Sequence, residues 1–235
     1  QEWLNPKYLN TTLLQKLAKQ CHRNRPFPHL VFSDFLQKEK ADQLLMALMD
    51  EDFEEKKADL FQLKQTADLI STKNLLLKQF RSLLASPSFV ALMSFLSSSV
   101  LQSGTIDISG SLYEDTNYLL CHDDLLENRK VAFFYYLSNQ EREDGGALSL
   151  FSSSHEGRKC DSNLLRPSGD TKGKKSEQNS CLLVSRGKPG KVDCQILPKF
   201  NTFAFFIVSK KSFHQVEEMV TKKERYALSG WYRGN

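Results

Sequence analysis

The chain has 235 residues, 40% hydrophobic and 26% charged, enough apolar material for one large core. Its 32 basic residues are interspersed with 28 acidic ones for a formal charge of +4, so direct nucleic-acid binding is not expected. No apolar run approaches the ~20 residues of a helical membrane span, and no membrane partner is expected. From Asn10 onward apolar residues recur at intervals of three and four: Leu13, Leu14, Leu17, then Phe35, Leu44, Leu45, Leu48, then Leu75, Leu76, Phe80, Leu83, Leu84, and finally Phe89, Leu92, Met93, Leu96. That spacing predicts a mainly helical part over residues 1–103. Start signals stand at Asn10-Thr11, Ser33-Asp34 and Ser86-Pro87, while the Pro26 to Phe32 segment reads as a short extended piece. After Gly104 the runs become short, β-branched and aromatic, and are read as about eight strands, including Tyr118 to Cys121, Val131 to Leu137, Ala147 to Phe151, Cys181 to Ser185, Phe203 to Val208 and Tyr226 to Tyr232. Residues 104–235 are therefore expected to form a β-core, interrupted by a solvated, mobile insertion at 155–191 that is rich in Ser, Gly, Lys and Asn. Helices followed by strands in one domain, 1–235, predict an α+β fold whose antiparallel strands form a sandwich or barrel of jelly-roll type.

Cys21, Cys121, Cys160, Cys181 and Cys194 are odd in number and scattered, with no CxxC pair. A reducing compartment, cytoplasm or nucleus, is the expected location.

A metal site is read first from Tyr118-Leu119-Leu120-Cys121-His122-Asp123-Asp124, an apolar strand ending in three polar residues. Side chains alternate along extended backbone, which predicts that His122 and Asp124 share a face and Asp123 takes the other. His214, in the short β-like segment Phe213-His214-Gln215-Val216, supplies a third donor. Two imidazoles and a carboxylate on one side of an octahedron leave positions open, as iron(II) oxygen chemistry requires and structural zinc does not. Alone, His-x-Asp also fits a satisfied polar histidine, so the flanking sequence has to decide.

Those flanks are Tyr118 to Asp124, Val131-Ala132-Phe133-Phe134-Tyr135-Tyr136-Leu137, Asp144-Gly145-Gly146-Ala147-Leu148-Ser149-Leu150-Phe151, Asn201 to Ser209, Ser212 to Val216 and Arg225 to Tyr232. In that order they resemble the prolyl-hydroxylase branch of the 2-oxoglutarate oxygenases. Cys121-His122-Asp123-Asp124, Phe213-His214-Gln215-Val216 and Ser229-Gly230-Trp231 are most similar to the ribosomal-protein prolyl hydroxylases. The resemblance runs from about Phe27 to Gly234 and is specific from Tyr113 onward. It implies a double-stranded β-helix (jelly-roll) barrel supported by N-terminal helices, with His122, Asp124 and His214 as iron(II) ligands and no catalytic residue beyond them.

By the same resemblance Arg225, opening its strand, pairs with the distal carboxylate of 2-oxoglutarate, a task suited to a guanidinium fork. Tyr113 and Tyr136 border that pocket, Leu148 and Phe205 form its apolar wall, Trp231 packs beside it, and Ser229, at i+4 from Arg225, shares its strand face. Gly145-Gly146 reads as a turn with unusual backbone angles. The implied reaction uses Fe(II), 2-oxoglutarate, O2 and ascorbate as reductant to hydroxylate a proline of a small-subunit ribosomal protein, releasing succinate and CO2. The residues from Asp59 to Leu69 and the insertion from His155 are expected to cover the docked peptide. The rivals are a hypoxia-factor-type prolyl hydroxylase and an inactive ribosome- or RNA-associated binding module.

Overall fold

The computed structural model describes residues 3–126, 128–154 and 188–234. Four helices fall where the apolar spacing predicts them: α1 (Thr11–Arg23), α2 (Lys38–Met49), α3 (Leu75–Ala85) and α4 (Pro87–Ser97). Local chemistry fixes three of their starts. The side chains of Asn10, Asn74 and Ser86 accept hydrogen bonds from first-turn N–H groups, and Pro87 opens α4, where its missing N–H costs nothing.

The expected start of α2 at Ser33-Asp34 is wrong. Asp34 adopts a left-handed conformation (φ +48°). Phe35 and Leu36 then run past Asn201, whose carbonyl and side-chain oxygens accept their N–H groups at 2.9 Å. These two residues are committed to a tertiary contact, so the helix begins after Gln37, without a side-chain cap.

The first part is less helical than expected. Besides β1 (His29–Phe32), which matches the predicted extended piece, it contains the hairpin β2 (Glu54–Ala58) and β3 (Phe61–Asp68). The Glu-Glu-Lys-Lys run of β2 shows no apolar alternation because the strand is largely exposed. What holds it extended is pairing with β3, which pairs in turn with β4 (Ile106–Tyr113).

The remaining strands are β5 (Tyr118–His122), β6 (Arg129–Tyr136), β7 (Leu148–Ser154), β8 (Lys188–Ile196), β9 (Thr202–Ile207), β10 (His214–Val216) and β11 (Arg225–Arg233). Residues 188–191, assigned from sequence to the insertion, belong to β8, where pairing with β7 overrides an unpromising Lys-Pro-Gly-Lys sequence. The expected strand Cys181 to Ser185, and the insertion up to residue 187, lie outside the described residues.

All pairings are antiparallel and follow one path, β1-β9-β6-β11-β4-β3-β5-β10-β7-β8, with β2 on β3. The path curls until its ends meet: Cys194 Sγ on β8 lies 3.9 Å from His29 Nε2 on β1. This is the jelly-roll architecture expected. Alternation along the strands separates two cores. Val131, Phe133 and Tyr135 of β6 face outward onto Leu77, Phe80 and Leu84 of α3 and Phe89 of α4. Ala132 and Tyr136 face inward with Tyr113, Leu148, Phe206 and Val216. The helices thus back the curled sheet from outside, leaving its concave side for the site. No single helix among the described residues is long and apolar enough to cross a membrane.

Candidate active site

Inside the curl lies a cavity of about 480 Å³, lined by residues from β3, β4, β5, β6, β10 and β11 and by the loop after β5. His122, Asp124 and His214 meet in its wall, with one donor atom from each within 4.8 Å of the others. His122 ends β5, and His214 begins β10 directly opposite it in the antiparallel register.

The tautomers follow from the backbone. His122 Nδ1 is 2.8 Å from the Leu120 carbonyl and His214 Nδ1 is 2.8 Å from the Ser212 carbonyl. A carbonyl only accepts, so each Nδ1 carries hydrogen and each Nε2 presents its lone pair. Those Nε2 atoms face Asp124, at 3.4 Å from Oδ1 for His122 and 3.5 Å from Oδ2 for His214. Phe206 packs its ring 4.5 Å from that of His214 and limits its rotation.

Asp124 reaches this cluster by a route that side-chain alternation does not describe. β5 stops at His122, and Asp124 is left-handed, with φ +60°. Its carbonyl accepts from Leu126 N at 2.7 Å, while Asp123 Oδ1 accepts from Leu125 N and the Asp123 carbonyl accepts from Ser212 Oγ. Asp123 therefore shapes the turn and ties it to the β9–β10 connection, and Asp124 is swung inward.

The electrostatics suit a dication. Burial pushes Asp124 toward the neutral acid, but His122, His214 and the Trp231 N–H outweigh it and hold the carboxyl at about 2. Burial lowers His214 to about 4, leaving it neutral. For His122, burial again opposes the charge, yet the neighbouring Asp124 carboxylate prevails and raises it. An ionised carboxylate and inward lone pairs, on one side of an open cavity, make a donor set suited to iron(II).

Deeper in the cavity stands Arg225, 1% exposed. Its Nε donates to the Gly146 carbonyl at 2.8 Å, and its guanidinium carbon sits 4.7 Å from the ring centre of Tyr113 and 5.2 Å from that of Tyr136. No carboxylate of the described residues pairs with it, and its Nη2 and the Tyr136 hydroxyl are buried without hydrogen-bond partners. An uncompensated buried charge costs several kcal/mol, and two orphaned donors aimed together fit an incoming carboxylate. Burial, opposed by the Arg225 charge, pushes the phenols of Tyr113 and Tyr136 to about 12, so both remain neutral donors.

Gly145 and Gly146, with φ +75° and +69°, do form the expected turn. A Cβ on Gly146 would lie 2.4 Å from Met219 Sδ and 3.0 Å from Arg225 Cδ, so the glycine permits the approach that delivers its carbonyl to the arginine.

Of the residues expected around the cosubstrate, Tyr113, Arg225 and Ser229 line the cavity, whereas Tyr136 and Leu148 stand in the apolar cluster behind it. Phe205 is misplaced: it faces outward and stacks on Phe32, and its neighbour Phe206 takes the inward position. Adjacent phenylalanines on a strand cannot be assigned to faces without the register. Sequence reasoning missed Arg129, which stacks over the Trp231 ring, and the hydrogen bond from Trp231 Nε1 to Asp124. At the mouth, Leu60 and Phe61 from the β2–β3 hairpin contribute to the wall, as does Leu126.

Comparison with known proteins agrees with this geometry. Residues 108–233 match the 2OG-Fe(II) oxygenase superfamily. The chain is 34% identical over 212 residues to Prolyl 3-hydroxylase OGFOD1 of Xenopus laevis, covering 89% of this chain and 35% of that protein. It is 30% identical over 219 residues to Prolyl 3-hydroxylase sudestada1 of Drosophila melanogaster, covering 89% of this chain and 35% of that one. The chain thus spans about a third of the length of these curated relatives. Among solved structures, a Pseudomonas putida prolyl-4-hydroxylase superposes with a TM-score of 0.64 at 15% identity, over 93% of this chain and 99% of that one. A Trichoplax adhaerens prolyl hydroxylase in complex with a hypoxia inducible factor peptide fragment gives 0.62 at 16% identity, over 95% and 93%. At such identities the two structures establish the shared fold.

Proposed function

This chain belongs to the 2OG-Fe(II) oxygenase superfamily, and from that premise we propose that it is the catalytic unit of a prolyl hydroxylase acting on a small-subunit ribosomal protein. The observation that carries the oxygenase reading is the pairing of an inward His122–Asp124–His214 donor set with a buried, carboxylate-free Arg225 in one cavity. In this reading His122, Asp124 and His214 hold iron(II), and Arg225 holds the distal carboxylate of 2-oxoglutarate with the hydroxyls of Tyr113, Tyr136 and Ser229 nearby. Bound there, iron and 2-oxoglutarate supply the oxidation, in which 2-oxoglutarate becomes succinate and CO2 while one atom of O2 enters a prolyl C–H bond. The protein's work is orientation and exclusion of water. Arg225 fixes the cosubstrate from the end remote from the histidines, and the inward apolar residues keep the cavity dry.

The prolyl substrate is supported by relatives at 30–34% identity that are prolyl 3-hydroxylases. The ribosomal assignment rests on the segments flanking the histidines, and a cytoplasmic or nuclear location accompanies it. Residues 1–235 are taken as one oxygenase domain, with ascorbate as its reductant.

The test is to incubate the chain with Fe(II), ascorbate, 2-oxoglutarate and equal amounts of a small-subunit ribosomal peptide and a hypoxia-factor peptide. A one-oxygen mass gain on a proline of the ribosomal peptide is expected. Preference for the hypoxia-factor peptide overturns the substrate, and absence of succinate with every peptide overturns the oxygenase assignment.

A further inference from the structure

Asp124 is the least anchored member of the cluster. It lies beyond the end of β5 with φ +60°, outside the strand ladder that carries both histidines. A carboxylate's terminal torsion is broad and roughly two-fold, so a ligand set that includes one needs something else to set its rotation. Two charged or chargeable neighbours stand farther from Oδ1: His122 Nε2 at 3.4 Å and Arg129 Nη1 at 3.5 Å. His214 Nε2 is 3.5 Å from Oδ2. The shortest hydrogen bond to this carboxylate among the described residues is donated by the indole of Trp231, with Nε1 2.9 Å from Oδ2.

The indole is itself firmly placed. Trp231 lies in β11 between two strands, opposite Asp107 of β4 and Ala132 of β6. Its ring is covered by Arg129, whose guanidinium carbon stands 3.5 Å from the ring centre, close enough for a strong cation–π stack. Arg129 belongs to β6, in register with Arg233 of β11. Thus the loop carboxylate is referred, through one neutral hydrogen bond, to the most thoroughly paired strand of the molecule. An indole N–H suits that work: it never titrates, it accepts nothing, and it adds no positive charge beside a dication. The same strand face carries Arg225, Ser229 and Trp231 into the cavity, so one strand registers the carboxylate-binding end against the metal-binding end.

We propose that Trp231 is the positioning residue that sets the orientation of the Asp124 carboxylate, with Arg129 as the clamp on its indole. The inference rests on reading Asp124 as a metal ligand, and outer hydrogen bonds of this kind typically change metal affinity ten- to a hundredfold, so a loss of about that size is expected when the donor is removed.

The experiment is calorimetric titration of Mn(II) into metal-free full chain, for the wild type, Asp124→Ala and Trp231→Phe. Phenylalanine keeps a ring beneath Arg129 and removes only the donor. Trp231→Phe should bind Mn(II) roughly 10–100-fold more weakly, retain its unfolding midpoint, and alter the visible spectrum of bound Co(II). Wild-type affinity together with an unchanged Co(II) spectrum overturns the positioning role. Wild-type affinity in Asp124→Ala overturns the ligand reading instead, so the two failures are distinct. Should Trp231→Phe not fold, Trp3→Phe leaves Trp231 as the sole tryptophan of the two. Its emission should then change on Mn(II) addition with the calorimetric midpoint, and an unchanged emission with Mn(II) bound overturns the proposal.

Discussion

The two ends of the cavity are built by different means. Arg225 opens a nine-residue strand paired on both sides, with β4 and with β6, and its guanidinium is steadied by a carbonyl and two aromatic rings. The histidine end rests on β5 and on the three-residue β10, and each of its three inward donor groups is aimed by a single hydrogen bond: His122 to the Leu120 carbonyl, His214 to the Ser212 carbonyl, and Trp231 to Asp124. Regular structure places the charge proposed to grip a cosubstrate, and single hydrogen bonds aim the atoms proposed to grip a metal. A lost bond should therefore damage the second region selectively, while the first yields mainly to changes of backbone or charge.

The sharpest test of this contrast is at the ligands. Asp124→Ala or His214→Ala is expected to bring iron(II) binding below detection by calorimetry. Asp123→Ala, which removes one turn hydrogen bond worth about 0.5–1.5 kcal/mol, should weaken binding by about tenfold or less. Equal losses at Asp123 and Asp124 would break the assignment.

Arg225→Ala addresses the other end. Loss of a charge-assisted contact of about 1.5–3 kcal/mol predicts roughly ten- to hundredfold weaker 2-oxoglutarate binding with iron affinity retained. Unchanged 2-oxoglutarate affinity would remove Arg225 from that role.

Gly146→Ala comes next. The left-handed backbone and the clash with Met219 and Arg225 predict a stability loss of about 1–3 kcal/mol in urea unfolding, with weaker 2-oxoglutarate binding and little change at the metal. A neutral result would show that the arginine does not depend on this turn.

The smallest effect is expected from Asn10→Ala. It removes the α1 cap for about 1 kcal/mol and should leave both affinities untouched, since the helices back the sheet from its far side. Any change in either affinity would mean that α1 communicates with the cavity.

How legible each region was follows the same division. The helices announced themselves through apolar period, most inward strands other than β4 through β-branched and aromatic runs, and His122, His214 and Arg225 through the motifs at their strand ends. The β2–β3 hairpin and β8 did not, because exposed polar strands owe their form to backbone pairing with distant segments. Asp124 was found by an argument that fails in the structure: strict alternation along β5 was replaced by a left-handed turn that delivers the same side chain. Trp231 was visible as an aromatic neighbour of the pocket, but its hydrogen bond spans 107 residues of sequence and leaves no local trace.

The curl of the sheet also governs when this protein can exist during its own synthesis. β1 pairs with β9, and β4 pairs with β11, so early segments wait for partners near the far end of the described chain. Such non-local pairing places folding among the slower topologies, on the order of milliseconds to seconds once the chain is complete. Until β11 emerges, β4 and β6 each lack the partner between them, and neither Arg225 nor Trp231 is present. The ends of the cavity consequently mature together, and a nascent chain released before Arg225 would expose two open sheet edges, the surface on which strands of another chain add most readily.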